Sequence, residues 1–447
     1  MQIRNKQILS IALPSIVSNI TVPLLGLVDT SITGHMGSAA YIGAVAIGSM
    51  LFNTIYWLFS FLRLSTSGLT SQALGRGDDA EIARLLRSSL SGALTIALIL
   101  VVLQVPLRMI GLWITDPSDE IAALTTTYFN ICIWGAPASL GLFCLNGWFI
   151  GMQNSRIPMV VAITQNVVNI LASLLFVYVL GMKVEGVALG TLIAQWCGFA
   201  VSFVSARRMI STRIKLFTLH SSLFTLRSSL FTLNSSLFTL NSSLFTLNSS
   251  LFLRTLCIVS VMLFFTSAGS WQGATLLAVN TIFMQMFLLV SYVMDGFANA
   301  AEAMSGKYYG ADDRVALTDT IRKSFLWTFG VAVVFTLTYA FFGNVFFSIL
   351  TNEPTVVCAA ADYMVWICLI PLVSFLAFIW DGVYIGLTAA RSMLLATFIA
   401  AVCFFTVFFL TRSSLGNHGL WISFLVFLFM RGAMQTVLFR RIVACRK

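Results

Sequence analysis

The chain has 447 residues, of which 58% are hydrophobic and only 9% are charged, and its mean hydropathy is +0.93. A water-soluble globular protein carries roughly 25% charged residues, so this composition excludes that class. It predicts an all-α polytopic membrane protein whose apolar runs each cross the bilayer. The net charge of +10 does not indicate a nucleic-acid partner, because Lys and Arg concentrate in segments expected on the cytoplasmic side.

The apolar runs predict about twelve transmembrane helices with both termini in the cytoplasm. Residues 1–7 carry Arg4 and Lys6, and the first span leads outward from near Ile8. A basic cytoplasmic loop is predicted after the second span; it contains Arg63, Arg76, Arg84 and Arg87. All but four of the 26 Lys and Arg fall on the assigned cytoplasmic side, which supports the topology; the exceptions are Arg108, Lys183, Arg412 and Arg431.

Asp29 is the only acid in the first apolar run, which extends from Ile8 to about Gly34. An ionised carboxylate at membrane depth costs several kcal/mol unless it faces water, protein or a cation, so such a residue indicates function. Pro14, fifteen residues earlier, bends the same helix. The alternative is that Asp29 lies close enough to the outer end to reach the water.

The two halves of the chain resemble each other at one constant offset of 235 residues. QALGRGDD (72–79) aligns with KYYGADD (307–313), and NGWFIG (146–151) aligns with DGVYIG (381–386). At the same offset Arg87 falls on Arg322 and Tyr128 on Tyr363. This pattern indicates duplication of a six-helix unit, with a parallel pseudo-two-fold repeat. We predict an N-terminal lobe over residues 1–207 and a C-terminal lobe over residues 253–447.

The two predicted lobes are joined by residues 208–252, where the sequence LFTLNSS occurs in five near-identical copies with a seven-residue period. Leu and Phe are adjacent and the flanking positions carry no charges, which is unlike a coiled coil. We interpret the segment as a cytoplasmic low-complexity linker.

The sequence has no constellation typical of an enzyme. It lacks GxxxxGK[ST], and its three His and eight Cys form no ligand cluster, so we expect neither a cofactor nor a metal site. Three further acids lie at membrane depth and are secondary candidates for ion coupling: Asp295, Glu302 and Asp381. The alternative for these three is a structural role, pairing with Arg or Lys at the inner mouth. Arg431 is expected to lie buried against an acid or helix carbonyls.

Several stretches from both halves together resemble the multidrug and toxic compound extrusion (MATE) family, in its DinF-like branch: IALPSIVSNITVPLLGLVDTSITGHMG, VEGVALGTLIAQ, MDGFANAAEAMSGKYYG, WDGVYIG and LGNHGLW. The resemblance covers essentially everything except residues 214–250. It implies two six-helix lobes and export of drugs or organic cations, driven by proton or sodium entry.

The resemblance also implies an ion site in the N-terminal lobe. Asp29 matches the family's aspartate on span one, Pro14 its bending proline, and Thr191 its threonine on span six. On span five the family pattern Asn-x-x-x-Asp reads NILAS, so Asn169 matches but Ser173 replaces the second acid. One carboxylate among neutral oxygens suits a proton better than a tightly held sodium ion, although a weak sodium site stays open.

These observations predict a monomeric antiporter of the bacterial inner membrane, whose partners are a small-molecule substrate and membrane lipid. Two rivals are a lipid-linked oligosaccharide flippase of the wider superfamily and an inactive pseudo-transporter. A flippase would need basic residues to hold diphosphate, whereas the charges at membrane depth are mostly acidic.

Overall fold

The structure is a computed structural model that describes residues 2–36, 38–218, 242–350 and 353–444. These residues form helices and short connections and contain no strand. The helices before residue 219 are α1 (Gln2–Gly34), α2 (Ala39–Leu58), α3 (Phe61–Arg76), α4 (Asp79–Val102), α5 (Gln104–Thr115), α6 (Asp119–Cys132), α7 (Ala136–Gly151), α8 (Arg156–Leu174) and α9 (Val184–Thr218). The later helices are α10 (Ser242–Ser270), α11 (Ala274–Gly310), α12 (Arg314–Leu350), α13 (Pro354–Ala361), α14 (Met364–Gly386), α15 (Ala390–Leu415) and α16 (Asn417–Ala444).

The helices are long and apolar enough to cross a membrane many times. Eleven candidate spans occur among the described residues, with α2 and α3 counted as one span and α6 and α7 as another. The prediction of an all-α polytopic membrane protein is therefore confirmed.

The predicted basic loop after the second span is helical instead. Arg63 and Arg76 lie in α3, and Arg84 and Arg87 lie in α4, with only Gly77 and Asp78 between the two helices. Gly77 ends α3 in the left-handed conformation (φ 70°), and the Asp78 side chain caps α4 by accepting from the Glu81 amide. Charged residues show where a helix leaves the apolar layer of the membrane, but the helix itself can continue until a capping residue ends it. For this reason the prediction of a loop was wrong.

Helices also extend into both ends of the predicted 208–252 linker. α9 continues to Thr218 and α10 begins at Ser242, so the last heptad copy is helical. The central copies, residues 219–241, lie outside the described residues.

The contacts divide the chain into two units. One unit contains Met1–Ile16 and Thr246–Lys447, and the other contains Val17–Phe245. The first four turns of α1 thus belong with the C-terminal helices, whereas the sequence alone grouped them with residues 17–207. Gly296 of α11 allows this packing, because a side chain there would collide with Ile16 and the Ala12 carbonyl.

Paired glycines bring the helices together within each unit. A Cβ on Gly147 of α7 would strike the Arg63 carbonyl, and one on Gly382 of α14 would strike the Ala298 carbonyl. One turn later Gly151 and Gly386 make equivalent close approaches, to the Ser67 and Glu302 carbonyls. All four contacts obey the 235-residue offset, so the two repeats use the same G-x-x-x-G packing, which lets helix backbones touch inside a membrane.

Each unit has its own buried core. In the C-terminal helices, Trp421 packs edge-on against Phe265 and Phe283, and its indole N–H donates to Asn280 Oδ1 at 2.9 Å. Asn280 and Asn417 exchange two side-chain hydrogen bonds there. In the other unit, buried Trp148 donates to the Ile82 carbonyl at 3.2 Å, which joins α7 to α4.

Candidate functional site

The Asp29 carboxylate is buried in the Val17–Phe245 unit. Asp29 lies five residues before the end of α1, its exposed fraction is 8%, and its backbone carbonyl accepts from Thr33 Oγ1 at 3.0 Å. Its Oδ1 is buried and has no hydrogen-bond partner among the described residues. This burial favours a functional acid over one that reaches water from the helix end.

Asn169, Ser173 and Thr191 come together where α8 meets α9. Asn169 Nδ2 donates to Thr191 Oγ1 at 3.1 Å, and the Thr191 hydroxyl donates to the Val187 carbonyl at 3.0 Å. Ser173 lies against Gly190, where any side chain would collide with it. Asn169 and Ser173 are fully buried.

Two of these side chains offer free acceptor atoms. Within the described ranges, Asn169 Oδ1 and Ser173 Oγ are buried without a hydrogen-bond partner, as is Asp29 Oδ1. A buried oxygen without a partner in the protein can accept from water or a proton donor or can bind a cation, so each of these three atoms is available to such a ligand. A π-helical turn over Leu175–Val179 follows Ser173 directly, and such turns are frequent at functional sites.

Asp29 and Ser173 lie at similar distances along their helices from one contact between α1 and α8. Asn166 Nδ2 of α8 donates to the Thr21 carbonyl of α1 at 2.8 Å, which fixes the relative height of the two helices. Both helices are outward spans in the predicted topology. From that contact Asp29 lies about 12 Å further along α1 and Ser173 about 10 Å further along α8, at 1.5 Å per residue.

Tyr128 and Cys132 of α6 were not among the predicted site residues, yet both lie within electrostatic range of the Asp29 carboxylate. Asp29 acts electrostatically on both. Cys132 Sγ donates to the Ala188 carbonyl at 3.7 Å, one turn before Thr191. α6 therefore links Asp29 to the turn of α9 that carries Thr191. The only sequence signal for these residues was the alignment of Tyr128 with Tyr363.

The other unit holds a buried charge cluster around Asp381. Asp381 Oδ2 accepts from Arg254 and from Arg431, the latter at 2.5 Å, and its Oδ1 accepts from Gln435 at 2.7 Å. All four side chains are buried. Asp381 therefore pairs with arginines in the interior of α10 and α16, and Arg431 lies against an acid as expected.

The two remaining acids lie on α11. Asp295 is half-buried and acts electrostatically on Arg254, which places it beside the Asp381 cluster. Glu302 is buried, two turns further along the same helix. The contacts of Asp381 favour the structural alternative for that residue. The coupling role of Asp295 and Glu302 stays a prediction.

Long apolar helices in two repeated units, with acids buried among them, are typical of membrane transporters. The MatE family model matches residues 14–175 and 250–410. The chain is 33% identical to DNA damage-inducible protein F of Escherichia coli (strain K12) over 437 residues, covering 98% of this chain and 92% of that protein. The chain therefore belongs to the MatE family, and the predicted DinF-like branch is confirmed.

Two further comparisons agree. The probable multidrug resistance protein NorM of Photorhabdus laumondii is 21% identical over 395 residues, covering 88% of this chain and 84% of that one. The bent form of the Vibrio cholerae MATE transporter VcmN matches with a TM-score of 0.83 at 17% identity, covering 98% of this chain and 97% of that one. The fold is thus that of MATE transporters, which have twelve transmembrane helices in two lobes, and the chain is an efflux transporter of the multidrug and toxic compound class.

Proposed function

We propose that this chain is a secondary antiporter of the bacterial inner membrane, with both termini in the cytoplasm. It exports amphipathic, cationic drugs or toxic organic compounds in exchange for protons. The similarity to a relative such as the probable multidrug resistance protein NorM supports drugs as the substrate. The observation that carries the coupling mechanism is the buried Asp29 carboxylate, whose Oδ1 has no hydrogen-bond partner in the described part of the chain.

A proton suits this site better than sodium does. Sodium binding is strongest where several oxygens, including carboxylates, converge on the ion. The companions that the family resemblance implies for Asp29 are the neutral oxygens of Asn169, Ser173 and Thr191, and Ser173 stands where the family has its second acid. A proton neutralises Asp29 outright, so its binding removes the cost of a buried charge without any further ligand.

Proton binding is coupled to a change in α1. Pro14 has no backbone N–H, so the Ser10 carbonyl lacks its usual helical donor and the helix is weak at that point. The boundary between the two units falls two residues later, after Ile16. A change in the charge of Asp29 alters how the outer part of α1 is held, and Pro14 supplies the hinge for the movement.

Purified protein in lipid vesicles provides the test, with ethidium as the substrate. Proton and sodium gradients are imposed separately and ethidium movement is followed by fluorescence. We expect ethidium to move against its gradient under a proton gradient alone. Drive by sodium alone would assign the coupling to sodium, and no movement under either gradient would support the flippase or the inactive pseudo-transporter.

Two variants localise the coupling. Asp29→Asn keeps the size of the side chain but cannot ionise, so we expect coupled export to be lost while the protein inserts normally. Asp116→Asn is the matched control, because Asp116 is exposed and its left-handed backbone (φ 41°) is well tolerated by Asn. Coupled export by the Asp29→Asn variant would refute the assignment.

A further inference from the structure

A groove of about 770 Å³ lies in the unit that contains the C-terminal helices, and the transport mechanism does not use it. It runs along one face of α12 and is closed at its sides by Asn5 of α1 and Val293 of α11. α12 is the least buried candidate span among the described residues, since only 17% of its most apolar stretch is buried. An apolar span so little covered by protein is expected to border lipid, so we place the α12 groove at the boundary between protein and lipid.

One end of the α12 groove is polar. It is lined by Asn5, Asp319, Arg322 and Lys323. Asp319 accepts from Lys323 Nζ at 2.7 Å and from Arg4, so this carboxylate pairs with two cations. Arg322 is exposed and Lys323 is buried, so this end presents a net positive charge that is built into the fold.

The other end of the groove is apolar. Its wall consists of Leu326, Trp327, Gly330, Val331 and Val334. The Trp327 ring stacks on Phe297 of α11, with centroids 6.5 Å apart, which holds it in place as a side wall. A Cβ built on Gly330 meets no atom within 4 Å, so the missing side chain leaves open space in the floor of the groove.

The length of the α12 groove is close to the thickness of one leaflet of the bilayer. From Arg322 to Val334 the helix rises about 18 Å, which compares with about 15 Å for one leaflet of the hydrocarbon core. A groove of that length, positive at one end and apolar along the rest, is complementary to one lipid molecule with an anionic headgroup.

We propose that the α12 groove binds one anionic phospholipid, with its phosphate held by Arg322 and Lys323 and one acyl chain lying along Trp327 and Gly330. The occupant is a lipid of the leaflet that borders the N-terminal end of α12. Arg4, Arg322 and Lys323 against the single negative charge of Asp319 leave a net charge of +2 at this end, which sets the preference for an anionic over a zwitterionic headgroup. At about fivefold per cation, that preference is roughly 5- to 30-fold.

Quenching of Trp327 fluorescence tests the proposal without any transport measurement. The full chain is reconstituted in phosphatidylcholine vesicles that contain a small fraction of phosphatidylglycerol or phosphatidylcholine brominated midway along the acyl chain. The difference in emission between the wild type and the Trp327→Phe variant gives the contribution of Trp327. We expect brominated phosphatidylglycerol to quench this signal at a mole fraction several-fold below that needed with brominated phosphatidylcholine. Equal quenching by the two lipids would overturn the proposal.

Matched variants separate a site from general attraction to a basic protein. We expect Arg322→Gln to reduce the preference about fivefold. Arg87→Gln, at the exposed position related to Arg322 by the repeat, should leave the preference unchanged. An equal effect of both substitutions would mean diffuse charge attraction and would overturn the proposal.

Filling the groove tests its shape. Gly330→Leu should abolish quenching of Trp327 by the acyl chain, since the new side chain occupies the open floor. Gly92→Leu is the control, because Gly92 is also an exposed helical glycine with no atom within 4 Å of a built Cβ. Unchanged quenching in the Gly330→Leu variant would show that no acyl chain lies there.

Discussion

Replacement of Asp381 by Asn should destabilise the unit that contains the C-terminal helices. The carboxylate accepts hydrogen bonds from Arg254, Arg431 and Gln435, and the two arginines are 7% and 6% exposed. Asn keeps the shape of the side chain but removes the charge, so two buried guanidinium groups lose the carboxylate that binds them. Removing one partner of a buried ion pair costs about 3–5 kcal/mol.

The expected change is large enough to measure by thermal unfolding. For a unit of roughly 200 residues, each kcal/mol shifts the Tm by about 2–4 °C, so Asp381→Asn should lower it by about 6–20 °C. Purified protein in detergent is heated while tryptophan emission is followed, since Trp380 and Trp421 are buried in this unit. Asp362→Asn, at an exposed acid of the same unit, should change stability by no more than about 0.5 kcal/mol.

A compensating variant tests the cause. Asp381→Asn combined with Arg431→Gln removes one of the two orphaned cations and should recover about half of the lost stability. The reasoning is refuted if the double variant is no more stable than Asp381→Asn, or if Asp381→Asn unfolds at the wild-type temperature.

Three further outcomes are expected. Gly147→Ala and Gly382→Ala should each lower the Tm by several degrees while Gly92→Ala does not, since only the first two place a Cβ against a carbonyl; equal Tm values for all three would contradict the packing account. Ser173→Asp should make ethidium export respond to a sodium gradient, because it supplies the second carboxylate; a purely proton-driven variant would show that Ser173 does not face the ion. Deletion of residues 219–239, three heptads of the linker, should leave expression and ethidium export intact, because loop closure depends only weakly on length; lost export with normal expression would assign the repeat a role.

Much of the fold could be predicted because its signals are local. The lengths of the apolar runs predicted the helices, and the 235-residue offset predicted the repeat. The structure shows that Gly147 and Gly382, which this offset aligns, make the same close contact in the two repeats. The prediction of a basic loop was wrong, because residues such as Arg63 and Arg84 can lie in a loop or in the part of a helix that extends beyond the apolar layer. The attachment of the first turns of α1 to α11 depends on the missing side chain of Gly296, and no pattern along the chain shows which helix a glycine faces.

The candidate site could be predicted from the sequence only in part. Asp29 stands out in the sequence because a lone acid in an apolar run is costly. Asn169, Ser173 and Thr191 were named through family resemblance, and the Asn169–Thr191 hydrogen bond joins two of them. Tyr128 and Cys132 could not be recognised, because nothing in the sequence of α6 shows that its residues lie within electrostatic range of Asp29. The partners of Asp381 come from helices that are distant in sequence, so the sequence could not identify Arg254 as one of them.

Proton movement coupled to substrate is the most direct test of the role of Asp29. Vesicles that contain the chain and an internal pH dye are given an ethidium gradient with no imposed pH difference. The account predicts proton movement opposite to ethidium in the wild type and in Asp116→Asn, and none in Asp29→Asn. Ethidium-driven proton movement that survives in Asp29→Asn would contradict it.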